Sequence, residues 1–128
     1  MNRLVMLSVL PLLTLLGTES AFAHAKLLKS QPSANQVVTQ APSEVVLHFS
    51  EELEIPMCKV EVKNVATGEV VSDGAITMAN DGKDESSMRI ALKSLAKSKA
   101  VYDVSWKAVA KDAHKMPGHM QFIFDPKK

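Results

Sequence analysis

Residues 101–124 read VYDVSWKAVAKDAHKMPGHMQFIF, and two alternating runs flank a polar centre. In the first run Tyr102, Val104, Trp106 and Ala108 share one face, opposite Asp103, Ser105 and Lys107. In the second, residues 119–124, Met120, Phe122 and Phe124 align. Period-two alternation predicts half-buried antiparallel strands, because successive side chains of an extended chain point to opposite faces. The centre, KDAHKMPGH, carries glycine, proline, two histidines and an aspartate between them. A turn that joins two core strands and concentrates ligand-type side chains is the feature from which both fold and function are read.

The same pattern extends outward. In EVVLHFS, from Glu44, the residues Val45, Leu47 and Phe49 fall on one face and Glu44, Val46 and His48 on the other. In CKVEVKN, from Cys58, the residues Cys58, Val60 and Val62 alternate with Lys59, Glu61 and Lys63. Shorter strands are expected at 26–30, 69–72, 75–78 and 87–92, separated by the turn signals QPSANQ, APS, NVATGE, SDG and NDGKDE. LKSLAKSK, from Leu92, is expected to form at most a helical turn. About seven strands without long helices predict an all-β sandwich with Greek-key connections. Trp106 reads as the core aromatic of that sandwich.

The first residues have a different character. Arg3 precedes an apolar run at 4–16, Gly17 breaks it, and TESAFA supplies the small residues of a cleavage site. The run is shorter than the ~20 residues a membrane-spanning helix needs. Residues 1–23 are therefore expected to be a cleaved secretory signal, with one compact domain over 24–128 and no membrane span once the leader is gone. Cleavage after Ala23 makes His24 the first residue of the exported chain. A rival cut after Ala25 would expose Lys26 and discard that histidine.

The formal net charge is +1 and Arg89 is the one arginine beyond the leader, which excludes the basic face a nucleic-acid partner requires. A single cysteine, Cys58, excludes an intramolecular disulfide. Its parity with Val60 and Val62 points to a buried, inert thiol. No nucleophile, base and orienting group fall together, so hydrolytic chemistry has no support and a non-enzyme is expected.

Four histidines remain: His24, His48, His114 and His119. His48 alternates outward and reads as a surface residue. His119 has outward parity and lies near the polar centre, a place for an outer-shell group. Asp112 and His114 are two apart, so in an extended segment their side chains point the same way. Alone, that pair reads first as an exposed loop Asp and His without a ligand. His24 changes its weight, because a free N-terminal histidine offers its α-amine and ring Nδ1 from one residue. Together with the His114 imidazole and an Asp112 oxygen this makes three nitrogens and one oxygen. Tetragonal nitrogen and oxygen donors suit Cu(II).

These residues resemble the CopC family of periplasmic copper-binding proteins. The resemblance runs through HAKLLKSQPSANQ, VVLHFSEELE and YDVSWKAVAKDAHKMPGHMQFIF, with His24 and Leu27; Leu47, Phe49, Ser50 and Glu51; Tyr102, Val104 and Trp106; Asp112, His114, Gly118 and Phe122 at the motif positions. Ala110 stands where the family pattern has serine. The resemblance implies an Ig-like or cupredoxin-like barrel with one Cu(II) site, ligated by His24, Asp112 and His114, and Glu51 in its outer shell. It also implies a periplasmic carrier or buffer in copper homeostasis and resistance, monomeric, delivering to an inner-membrane copper importer of the CopD type. Some members hold Cu(I) in a methionine-rich loop; here only Met57, Met78 and Met88 occupy residues 55–89, widely spaced, so no Cu(I) site of that type is expected. The alternatives are a histidine-brace copper oxygenase and an Ig-like interaction module without metal.

Overall fold

A computed structural model describes residues 27–127. The leader and His24 lie outside the described residues. Eight strands form: β1 (Leu27–Gln31), β2 (Val37–Val38), β3 (Glu44–Phe49), β4 (Lys59–Asn64), β5 (Ser72–Met78), β6 (Asp84–Leu92), β7 (Ala100–Val109) and β8 (Lys115–Phe124). They make two four-stranded sheets, ordered β1-β3-β6-β5 and β2-β8-β7-β4. All pairings are antiparallel except that of β2 with β8. This is the expected sandwich, and β2 is the strand that the alternation did not indicate. β2 escaped notice because two residues carry no period.

The inward faces are the ones the alternation named. Val45, Leu47 and Phe49 from β3 meet Tyr102, Val104 and Ala108 from β7 and Met120, Phe122 and Phe124 from β8, all buried. Tyr102 stacks on Phe122 with ring centroids 5.4 Å apart, and its hydroxyl accepts the Ala96 N–H at 3.0 Å. A buried phenol thus keeps a polar partner, as burial of a hydroxyl demands. Trp106 is only half-buried; its ring meets Phe49 edge-on at 6.1 Å and lies across Gly118 on the neighbouring strand.

Three expectations need correction. In place of separate strands at 69–72 and 75–78 there is one irregular strand, β5, which starts only at Ser72, leaves Val70 as an isolated bridge to Lys63, and shifts register between Asp73 and Thr77 around Gly74 at φ 80°. The final strand begins at Lys115, not 119, and runs through Pro117. Proline is tolerated there because β2 pairs only with Ile123 and Phe124, leaving the outer side of β8 open at Pro117. No helical turn forms over LKSLAKSK: Leu92 and Lys93 donate their N–H groups to Ser43 and Val71, and Leu95 packs on the core. Those long-range bonds compete with a local helix that is too short to sustain itself. Among the described residues no helix is long and apolar enough to cross a membrane.

Candidate metal centre

β7 ends at Val109 and β8 starts at Lys115, so residues 110–114 form the connection. The Ala110 N–H donates to the His114 carbonyl at 2.9 Å and the Ala113 N–H to the Ala110 carbonyl at 2.9 Å. The His114 N–H donates to Asp112 Oδ1 at 3.1 Å. Ala113 closes the loop at φ 70°, the left-handed region that a Cβ disfavours. Asp112 Oδ2 and His114 Nδ1 come within 3.7 Å. The two side chains do converge, but through a tight left-handed turn and not through the extended backbone that their spacing suggested.

A second segment is laid against this loop. After β3 the chain crosses between the sheets: the Leu53 N–H donates to the Glu85 carbonyl at 2.8 Å, and the Glu54 N–H to the Val109 carbonyl at 2.7 Å. Leu53 forms an isolated bridge with Ala110 and is buried beneath it. The Lys111 N–H donates to the Glu52 carbonyl at 3.1 Å, and Lys111 Nζ lies 3.7 Å from Glu54 Oε2. This pairing carries Glu51 to the loop from sixty residues away in sequence. One ligand atom each from Glu51, Asp112 and His114 lie within 4.8 Å of one another.

The resulting group is open to solvent, with Glu51 half-buried and Asp112 and His114 exposed. Two carboxylates within 4.8 Å of each other repel by about 1 kcal/mol or more in a water-like dielectric and by several times that in a drier one. A cation between them removes that repulsion. The donor set of one imidazole and two carboxylates fits a divalent ion that accepts nitrogen and oxygen, and lacks the thiolates of a structural zinc site.

The other histidines stand elsewhere. His48 is not a free surface residue: its Nδ1 sits 3.0 Å from Asp84 Oδ2, and both side chains are half-buried. His119 lies opposite Ser105 on β8, highly exposed, with Nδ1 3.6 Å from Asp103 Oδ1. It is not part of the group formed by Glu51, Asp112 and His114. Cys58 is buried, and burial pushes its thiol pKa up, opposed in part by the backbone hydrogen bond with Val109. Met88, Met116 and Met120 are core residues, while Met57 is exposed. A groove of about 550 Å³ between β4 and β5 is lined by Cys58, Val60, Ile76, Ile90 and Trp106. It contains none of the three clustered side chains.

Sequence reasoning did not see how Glu51 reaches the loop. The run EELEIPM has no period, and a bridge formed by backbone groups leaves no trace in side-chain type. It also missed the strained Ala113, whose only signal was its place in a short loop between two certain strands.

Comparison with known proteins bears on the family and the fold. The CopC domain family matches residues 27–125. The chain is similar to Protein YobA of Escherichia coli, 31% identical over 111 residues that cover 87% of this chain and 86% of that protein. It is similar to Copper resistance protein C of Xanthomonas campestris pv. juglandis, 31% identical with 84% of each chain covered. It matches the Copper transport protein CutJ of Bacillus subtilis at 30% identity, covering 81% of this chain but 18% of that longer protein. Among solved structures, PcoC, a methionine-rich copper resistance protein from Escherichia coli, superposes with a TM-score of 0.65 at 28% identity, covering 80% of this chain and all of that one. CopC from Methylosinus trichosporium shares the fold with a TM-score of 0.69 at 24% identity, covering 82% of this chain and 97% of that one. A two-sheet sandwich with Leu47, Phe49, Tyr102 and Phe122 in its core, matched over all but the last two described residues, makes this chain a member of the CopC family.

Proposed function

We propose that the exported protein binds one Cu(II) through His24, Asp112 and His114 and acts as a periplasmic carrier or buffer in copper homeostasis and resistance. The observation that carries this reading is the meeting of Glu51, Asp112 and His114 at one end of the sandwich. β1 begins at Leu27 opposite Phe49, two residues before Glu51, so the chain enters β1 from that same end. Three residues of chain span at most about 11 Å, so the proposal requires the group to lie within that reach of Leu27.

In this reading the leader, residues 1–23, is removed, and the α-amine and ring of His24 supply two nitrogens. His114 supplies the third and Asp112 an oxygen. The bond from the His114 N–H to Asp112 Oδ1 leaves Oδ2 facing the imidazole, where the ion would be shared. Glu51 acts from the outer shell, orienting a ligand or a bound water, as second-shell carboxylates do. Exposure of the site suits a protein that must release its cargo. A monomer that delivers copper to an inner-membrane importer of the CopD type completes the proposal. The names of the relatives support it, since copper resistance and copper transport recur among them.

Competition titration with a Cu(II) chelator tests the ligand set. Asp112→Asn and His114→Ala in the protein beginning at His24 should each weaken Cu(II) binding by at least tenfold, while His119→Ala should change it less than about twofold. Equal affinity of wild type and His114→Ala would rule out the proposed centre.

A further inference from the structure

The ladder between β4 and β7 starts with Lys59 opposite Lys107, so continuing it would place Cys58 opposite Ala108 and then Met57 opposite Val109. That rung does not exist, because Ile55–Met57 turn as a single 3-10 turn instead of continuing the strand. The N–H of Val109 is thereby left without a carbonyl partner on this side, at a residue only 2% exposed. The Cys58 thiol fills the place: the Val109 N–H donates to Sγ at 3.3 Å. The thiol hydrogen has two acceptors within reach, the Glu54 carbonyl at 3.3 Å and the Val109 carbonyl at 3.7 Å. The Val109 carbonyl also receives the Glu54 N–H at 2.7 Å. Both backbone groups of Val109 are therefore held by residues 54–58, and Val109 is three residues before Asp112.

We infer that Cys58 is a positioning residue for the metal centre: its thiol replaces a missing rung of the sheet and fixes where the loop bearing Asp112 and His114 leaves β7. This inference rests on the proposed Cu(II) site and assigns the buried thiol a role that needs neither ligation nor reactivity. Burial raises its pKa and keeps it a neutral thiol that can accept from Val109 and donate to Glu54 at once. An alanine or valine can do neither. The Val109 N–H would then find a partner only by shifting the end of β7, because a buried donor left unpaired is costly. Leu53 and Ala110, bridged immediately beside it, would move together with the ligand loop.

The test measures Cu(II) affinity and the frozen-solution electron paramagnetic resonance spectrum for wild type, Cys58→Ala, Cys58→Val and Cys58→Ser, all beginning at His24. Cys58→Val guards against the cavity that alanine leaves, so a folding failure of one variant does not remove the test. A group bonded directly to a ligand contributes about 10–100-fold to metal binding; Cys58 acts one step further out, through Val109, so the low end, about tenfold, is expected for alanine and valine, with shifted or heterogeneous copper hyperfine splitting. Serine can accept and donate in the same way and should return affinity to within about threefold of wild type, with the wild-type spectrum. Unchanged affinity and spectrum in Cys58→Val, whatever its melting temperature, would show that the thiol serves the fold alone and would overturn the inference. Wild type that binds no Cu(II) would instead remove the site itself, and the positioning role with it.

Discussion

Replacing Gly118 with alanine tests how the last two strands fit together. An ideal Cβ on Gly118 would lie 2.5 Å from Cζ2, 2.7 Å from Cε2 and 2.9 Å from Nε1 of Trp106, all inside the 3.4 Å at which ordinary contact begins. The backbone at Gly118 is not in the left-handed region, so the conflict is purely one of space. Without it, Gly→Ala in a strand should stabilise by a few tenths to about 1 kcal/mol, through the unfolded chain. With it, the indole must leave its edge-on contact with Phe49 or push the strands apart. Overpacking of this kind costs about 1–3 kcal/mol. For a domain of this size that lowers the melting temperature by about 5–20 °C. Circular dichroism melts would measure the loss, and Trp106, the single tryptophan, would report its own displacement by fluorescence. In a Trp106→Leu background the obstacle is gone, so Gly118→Ala should cost less than about 0.5 kcal/mol and the pair should couple by at least about 1 kcal/mol. A melting temperature that rises in the wild-type background, or equal losses in both, would refute the packing described.

Ala113→Gly should stabilise the protein by several tenths to about 1 kcal/mol, since alanine at φ 70° carries a steric cost that glycine avoids; a chemical-denaturation midpoint that falls would contradict that conformation. Native Cys58 should react with a small alkylating reagent at pH 8 at least about tenfold more slowly than the unfolded chain, because burial raises its pKa and lowers the thiolate fraction; mass spectrometry against time would show it, and equal rates would contradict the buried thiol. Cu(II) affinity should fall as pH drops from 8 to 5, because protons compete for the amine, whose ordinary pKa is about 7.7–8.0, and for both imidazoles. Affinity independent of pH would exclude a ligand set made of those groups.

The sandwich was legible because its core is written in alternation. Val45, Leu47 and Phe49, and Met120, Phe122 and Phe124, have nowhere to go but one face of an extended chain, and the hydrophobic effect sets which face is buried. What alternation could not show is how the strands end. β5 runs on past Gly74 with a shift of register between Asp73 and Thr77, and β8 begins four residues early because an open edge accepts Pro117. The pairing of Asp112 with His114 was visible in their spacing, although the backbone achieves it through Ala113. Glu51 was expected near the centre only from resemblance to a family; the physical cause, the bridge of Leu53 to Ala110, is made of backbone groups. His48 was read from parity alone, and parity does not report that Asp84 from the next strand lies 3.0 Å away.

In the proposed function export creates the copper site, because cleavage turns an ordinary histidine into a chelating terminus that works with Asp112, His114 and Glu51. Cu(II) affinity should therefore be compared between protein beginning at His24 and protein carrying one additional residue before it. Blocking the α-amine leaves the fold and every described side chain in place and removes one nitrogen donor, so affinity should drop by about two orders of magnitude or more. Equal affinity of the two proteins would contradict the account.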